Sequence, residues 1–357
     1  MNVLRFSLIA SLATSFALPS VNAQTATTDP VGFVTVGITA GTGTAKRNTL
    51  FSVPLMETES IAGQVAGTIT GVTSNTISNS NAGWTAGALS QPATPYLIQI
   101  TSGAAEGRLF LISSSANTGG AVAGTANTAT TVTVSSVDVA QADLTSLGIV
   151  VGTDTYKIYA CDTLSSFFGT PASTGIQGGT SAANADTVVV VVNGSASTYF
   201  YSTTASRWAR VFTGSPDASN VPLLPYYGVQ YARLAASPLS FVVTGGVPTE
   251  PRKVAVKNSG TTLVSQFWPS DSTLLSSGLS SVVTAGASAA VADTVVLTSG
   301  GSASTYFYNG TNWRRVFTGS PLADSTPIPV GTTVQVVRKG SAAGFTVLSQ
   351  SVPYSLN

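Results

Sequence analysis

The octapeptide Gly-Ser-Ala-Ser-Thr-Tyr-Phe-Tyr is spelled twice, at 194–201 and again at 301–308. A catalytic site is normally built once per chain, whereas a structural unit can be copied, so this duplication constrains architecture first. The match is longer than eight residues: "ADTVVVVVNGSASTYFYSTTASRWARVFTGS" (185–215) answers "ADTVVLTSGGSASTYFYNGTNWRRVFTGS" (292–320). Ala185 aligns with Ala292 at an offset of 107 residues, and Trp208 with Trp313 at an offset of 105. The change falls between Tyr201 and Trp208, where the second copy has Asn309-Gly310. Asn-Gly suits a tight hairpin turn, and hairpin tips tolerate changes of length. A turn between two strands is expected there.

The flanking segments read as strands. Val188 to Val192 is a β-branched run that suits a buried strand. Asn193-Gly194, or Gly300-Gly301 in the second copy, then turns the chain. In the next strand Tyr199 and Tyr201 share one face while Phe200 takes the other. In the third, alternation puts Trp208, Arg210 and Phe212 on one face with Val211 opposite, and Trp313, Arg315 and Phe317 repeat the set. A fourth strand follows at "VQYARL" (229–234) and "VQVVRK" (334–339), and a fifth at "FVV" (241) and "FTV" (345). Each copy reads as an antiparallel meander.

A weaker third copy precedes these two. Thr-Leu-x-Ser begins at Thr49, Thr163 and Thr262, "GTDTYKIY" (152–159) resembles "GTTVQVVR" (331–338), and "PYLIQITSGAAEGRLFLI" (95–112) reads as a drifted hairpin. The expected fold class is all-β, with tandem antiparallel β-sandwich or sandwich-like barrel modules built from β-meanders. The modules are expected at 24–160 (divergent), 161–255 and 256–357. Only "DVAQADLTSLG" (138–148) suggests a short helix, and Gly, Ser, Thr and Ala at 113–131 read as a loop.

Residues 1–23 carry the marks of a secretory signal peptide. Arg5 is followed by an apolar stretch, Phe6 to Leu18, then Pro19 and the small-residue site Val21-Asn22-Ala23. The apolar stretch is short for the roughly 20 residues a spanning helix needs. Cleavage after Ala23 removes Arg5, so 15 basic residues become 14 against 14 acidic ones. Only 8% of the chain is charged, against roughly 25% for an ordinary soluble domain. Such a surface has little colloidal repulsion and tends to associate. It also lacks the basic excess that would displace counterions from nucleic acid. Cys161 is the only cysteine, which excludes an intrachain disulfide and suits a buried small hydrophobe.

"TDPVGFVTVGITAG" (28–41), followed by "NTLFSVPL" (48–55), resembles the opening of an uncharacterised family of secreted bacterial proteins. Its members share a DPVGFVT-like start, a Thr-Leu-x-Ser segment and β-rich repeats. The resemblance implies export and a β fold, and it supplies no catalytic residues.

The chemistry available is narrow. There is no histidine, which removes Ser-His and Cys-His nucleophiles and the commonest zinc ligand. No Ser-x-x-Lys, Gly-x-Ser-x-Gly or Gly-x-x-x-x-Gly-Lys-Ser/Thr occurs. Paired carboxylates could serve glycoside hydrolysis, and the candidates are Glu57, Glu59, Glu106 and Glu250. Asp186 and Asp293 recur at one module position, which fits a turn cap or a partner for Arg better than catalysis. The aromatic-Arg triplets Trp208-Arg210-Phe212 and Trp313-Arg315-Phe317 can bracket a guanidinium or pack a core face.

The reading is therefore a non-enzymatic exported structural protein of the cell surface or extracellular matrix, with the periplasm as the other compartment. No cofactor or metal is expected, and self-association is the expected partnership. "GFVTVGI" (32–38) is a candidate donated strand. The alternative is a polysaccharide-binding adhesin using the repeated Trp/Arg/Tyr face.

Overall fold

The structure, a computed structural model, describes residues 30–57, 61, 63–113, 126–135, 143–192, 195–299 and 301–355. The expected signal segment, the turn residues Asn193, Gly194 and Gly300, Glu59 and most of the 113–131 loop lie outside the described residues. The protein is mostly β, 41% strand and 7% helix, in several antiparallel sheets, with no closed barrel among the described residues.

Two strands open the described chain, β1 (Val31–Ile38) and β2 (Arg47–Phe51). Seven shorter ones follow: β3 (Ala66–Thr68), β4 (Gly71–Val72), β5 (Thr76–Ser78), β6 (Tyr96–Ile100), β7 (Leu109–Leu111), β8 (Thr131–Thr133) and β9 (Thr155–Ala160). Helices α1 (Leu164–Phe168) and α2 (Pro171–Thr174) lead to β10 (Thr187–Val192), β11 (Ser195–Ser202), β12 (Arg207–Arg210), β13 (Val229–Arg233) and β14 (Leu239–Gly246). The last third contains β15 (Arg252–Lys257), β16 (Gly260–Ser265), β17 (Ser272–Thr273), β18 (Thr294–Ser299), β19 (Ser302–Tyr308) and β20 (Trp313–Arg315). It ends with β21 (Pro327–Ile328), β22 (Thr333–Arg338) and β23 (Phe345–Gln350).

Pairing shows how the duplicated segments are used. One five-stranded sheet has the order β12-β11-β10-β13-β2, and the other has β20-β19-β18-β22-β16. The meander covers three strands in each; the fourth returns beside the first, which is Greek-key closure. Val188 and Val190 are buried in β10, which lies between β11 and β13, so the valine run is a central strand. A two-stranded ribbon completes each repeat, β1 with β14 in one and β15 with β23 in the other. Ribbon residues Val34, Val36, Phe241 and Val243 share a core with sheet residues Val188, Val190, Tyr199 and Tyr231. Each repeat is thus a small sandwich.

Strand pairing crosses the boundary expected at 160/161. β1 and β2, placed by sequence in the divergent module, hydrogen-bond to β14 and β13. "GFVTVGI" is accordingly paired within its own chain. The first repeat comprises β1, β2, the α1–α2 segment and β10–β14; the second runs from β15 to β23. β3–β9 form an inserted module with sheets β3-β9-β6-β7 and β4-β5-β8 around Ile69, Ile77, Ile98, Phe110, Val132 and Tyr156.

The three Thr-Leu-x-Ser segments fall into two classes. Thr49 opposes Tyr231 and Thr262 opposes Val336, the same register in both repeats. The segment at Thr163 instead caps α1: Thr163 N donates to Ser166 Oγ (2.8 Å) and Ser166 N to Thr163 Oγ1 (3.1 Å). Its counterpart is Thr273-Leu274-Leu275-Ser276, with the same reciprocal bonds at 2.9 and 3.2 Å. Such capping boxes satisfy amide groups that the first helical turn leaves unpaired. The helix expected over 138–148 is, in its described part, a 3-10 turn at Leu144–Leu147.

The repeats meet reciprocally. Phe51 bridges Thr332, while Tyr227 bridges Val264, and each is the other pair with the repeats exchanged. Ser52 N donates to Gly331 O (2.8 Å), and Ser265 N to Tyr226 O (3.2 Å). This is the pattern of a two-fold isologous contact, realised inside one chain. Gly228 lies at this junction, its N donating to Leu263 O at 2.9 Å. A Cβ there would sit 2.0 Å from Cγ2 of Thr333, its own equivalent.

Candidate functional site

The aromatic-Arg triplets do not form one face. Trp208 and Trp313 are buried at equivalent core positions. Trp208 Nε1 donates to Gly169 O at 3.0 Å. Trp313 Nε1, in contrast, is buried with no partner. Strands β12 and β20 end at Arg210 and Arg315, so the alternation read from the sequence stops there. Gly214 and Ser215 take positive φ values of 78° and 42°, and Gly319 and Ser320 take the same two values. The turn leaves Phe212 and Phe317 exposed, 66% and 67%, together with Val211 and Val316. Arg210 and Arg315 stack on these rings at 5.5 and 5.6 Å. Packing therefore takes the tryptophans, and the surface keeps two copies of an Arg-Val-Phe tip.

The repeated aspartates organise structure. Asp186 accepts from Arg233 Nη1 (2.6 Å), Tyr231 Oη (2.7 Å), Gln177 N (2.8 Å) and Leu234 N (2.7 Å). Asp293 accepts from Thr284 N (2.7 Å), Lys339 N (2.7 Å) and Arg338 Nε (3.2 Å). Burial alone pushes Asp293 up, but those amides and the Arg338 guanidinium outweigh it and hold the carboxyl below its ordinary value. Burial pushes the Tyr231 hydroxyl far up, and the Asp186 charge adds to it. Cys161 is buried, and burial raises its thiol well above the usual range. Of the carboxylates weighed as an acid–base pair, Glu250 is raised first by burial and then by the charge of Glu106.

Two surfaces remain that have the shape of sites. The first is ribbon strand β1. Its inner residues Val34, Val36 and Ile38 are buried, while Val31 and Phe33 are 75% and 74% exposed beside Val242 at 61% on β14. β1 has one neighbour, β14, and its other edge pairs with no described strand. The equivalent edge in the second repeat is occupied: Lys253 N donates to Gly107 O at 2.9 Å, and Arg108 bridges Lys253 in parallel. Thr39 N and Lys257 N donate to the equivalent hydroxyls Thr49 Oγ1 (3.0 Å) and Thr262 Oγ1 (3.2 Å), which sets Thr35 of β1 at the place of Lys253, with Phe33 two residues along the same edge. The inserted module thus covers one of two equivalent edges.

The second surface is a groove of about 380 Å³ in the second repeat, lined by Gln266, Trp268, Asp271, Ser272, Ser277 and Gln350 among others. In the first repeat the chain leaves for the inserted module at this point. Leu97, Ala160 and Cys161 then pack beside Val53 and Leu55, leaving a cavity of only about 10 Å³. Sequence reading singled out the β1 segment "GFVTVGI" as a strand to donate, without showing which edge is open, and missed the groove. The groove joins residues some eighty apart, and the open edge follows from a pairing across 200 positions.

Among the described residues no group of three or more His, Cys, Asp and Glu could hold a metal ion, and no helix is long and apolar enough to cross a membrane. Comparison with known proteins gives no relative: no family model matches the chain, and neither a curated protein nor a solved structure is significantly similar to it.

Proposed function

We propose that this chain is an exported, non-enzymatic structural protein of the cell surface or extracellular matrix that associates with copies of itself through β1. The observation that carries the reading is the difference between two equivalent edges, one bonded by the inserted module and one open. An open strand edge is a template for another strand. The segment Val31–Ile38 carries no charge, Lys or interior Pro to discourage pairing. Two copies of the strand can pair antiparallel across a two-fold axis, burying Phe33 and Val31 against each other. The 8% charge content leaves little long-range repulsion to oppose this. Export rests on the composition of residues 1–23.

Sedimentation velocity on the chain beginning at Gln24 tests the reading. Association should grow with concentration and be lost in Phe33→Lys, which puts on the open edge of β1 a charge of the kind that discourages strand pairing. A wild-type chain that stays monomeric at all concentrations contradicts the proposal. The adhesin alternative loses the face it was built on, since buried Trp208 and Trp313 offer no ring to a sugar.

A further inference from the structure

We infer that the two Arg-Val-Phe tips dock on an anionic lipid surface, the second more tightly than the first, independently of any assembly through β1. The heptapeptide Arg-Val-Phe-Thr-Gly-Ser-Pro is identical at 210–216 and 315–321. Strands β10 and β18 of the same repeats differ meanwhile, Val190-Val191-Val192 in one standing for Leu297-Thr298-Ser299 in the other. Core packing does not demand the identity of the tips, because Val211, Phe212, Val316 and Phe317 all stand exposed.

Each tip is held rigidly. Arg210 N donates to Pro216 O (3.0 Å), Val211 N to Thr198 O (2.8 Å) and Ser215 N to Phe212 O (2.9 Å). Arg315, Val316 and Ser320 repeat these bonds at the same lengths. Ser215 and Ser320 keep a positive φ that residues other than glycine rarely adopt. The fold thus maintains, twice, a strained turn that presents an apolar ring to solvent, and such outliers point to function.

Charge selects the occupant. Of the 15 basic residues in the chain, Arg207, Arg210, Arg314 and Arg315 flank the tips. At the first tip Asp217 offsets Arg207 at 3.6 Å. At the second, Arg314 and Leu322 form the bridge that Ala209 and Asp217 form in the first, so an arginine replaces an alanine and an exposed leucine replaces the acid. Asp324, the nearest acid along the chain, faces Asn312 Nδ2 and Trp313 N instead (2.7 Å each). The second tip therefore joins two guanidinium groups to exposed Val316, Phe317 and Leu322. An anionic bilayer surface satisfies both, its headgroups meeting the charges and its acyl boundary taking the apolar side chains. A soluble polyanion would leave the apolar side chains in water.

The test floats the chain beginning at Gln24 with vesicles of phosphatidylcholine alone or mixed with phosphatidylglycerol in equal parts. Binding should require phosphatidylglycerol, fall about tenfold or more in Phe317→Ser, and fall less in Phe212→Ser. Asp217→Leu, which gives the first tip the character of the second, should tighten binding about fivefold or more. These residues are exposed, so every variant should keep the wild-type thermal midpoint to within a few degrees. Phe33→Ser should bind vesicles as wild type does, which separates this outcome from assembly through β1. Absence of binding to phosphatidylglycerol vesicles overturns the inference, as does equal binding to phosphatidylcholine alone. So does binding that survives unchanged in the folded Phe212→Ser/Phe317→Ser chain, or that is lost in Phe33→Ser. Loss of vesicle-free self-association in the Phe212→Ser/Phe317→Ser chain would make the tips a contact between copies and overturn it equally.

Discussion

Replacing Asp186 by Ala should cost far more stability than the same change at its equivalent, Asp293. Both carboxylates open the first strand of their meander and both receive two backbone amides. Their guanidinium partners differ. Arg233 is buried with Asp186 (side chains 3% and 1% exposed), whereas Arg338 is 14% exposed and also donates to Asn258 Oδ1 (3.1 Å) and Thr346 Oγ1 (2.9 Å). Removing Asp186 leaves Arg233 with backbone and hydroxyl acceptors but no counter-charge. It also orphans Tyr231 Oη and takes the Asp186 charge away from Lys46. Breaking one side of a buried pair costs about 3–5 kcal/mol. Asp293 is as buried as Asp186, but its partner Arg338 keeps other acceptors and some exposure, so the loss is that of charged hydrogen bonds, about 1.5–3 kcal/mol. Urea unfolding followed by tryptophan fluorescence measures both, since Trp208 and Trp313 are buried in the two repeats. Equal costs, or a larger one at Asp293, would refute the assignment of the Asp186–Arg233 pair as the buried key of the first repeat.

Other outcomes follow from the same geometry. Asp293 is held below its ordinary value, so its contribution is present above the unfolded-state value near 3.9 and is lost as pH falls through the lower folded-state value. The stability difference between wild type and Asp293→Asn should therefore shrink below about pH 4, and a pH-independent difference would contradict this. Gly228→Ala should cost about 1–3 kcal/mol by overpacking against Thr333. Adding Thr333→Ala should recover part of that loss, and a neutral Gly228→Ala would place the repeats farther apart. Arg252 is buried, its Nη1 and Nη2 have no partner, and burial lowers its pKa to about 10. Its stacking on Phe267 and Trp268 at 5.6 and 5.9 Å is worth about 2 kcal/mol, less than the several kcal/mol of burying an ion. Arg252→Met should raise the denaturation midpoint, and a clear fall would show the charge to be compensated.

Local signals were readable from the sequence wherever they acted over a few residues. Tyr199, Phe200 and Tyr201 alternate as expected, and Asn309-Gly310 sits at the hairpin tip between β19 and β20. The Thr-Leu-x-Ser segments were ambiguous for a physical reason. Thr and Ser suit a strand surface and an N-cap equally, and only tertiary pairing separates Thr49 from Thr163. Phe212 was misplaced because strand alternation was carried past Arg210 into a turn, although "TGSP" (213–216) held the signal. The insertion of β3–β9 was illegible. Nothing near Arg47–Phe51 says that its partner lies at Val229–Arg233, because long-range pairing leaves no local trace beyond apolar alternation. The groove was hidden likewise, its serines being unremarkable in a chain rich in Ser and Gly.

Amide hydrogen exchange at Phe33, measured against Lys253 over a range of protein concentrations, tests the account most directly. The Lys253 amide is bonded to Gly107 O within the chain and should be protected at every concentration. The Phe33 amide, on the corresponding edge of β1, faces no described strand in the monomer. It should exchange fast in dilute protein and become protected as concentration rises, and this gain should vanish at residue 33 in Phe33→Lys. Fast exchange at Phe33 in concentrated protein that has demonstrably associated would contradict assembly through β1.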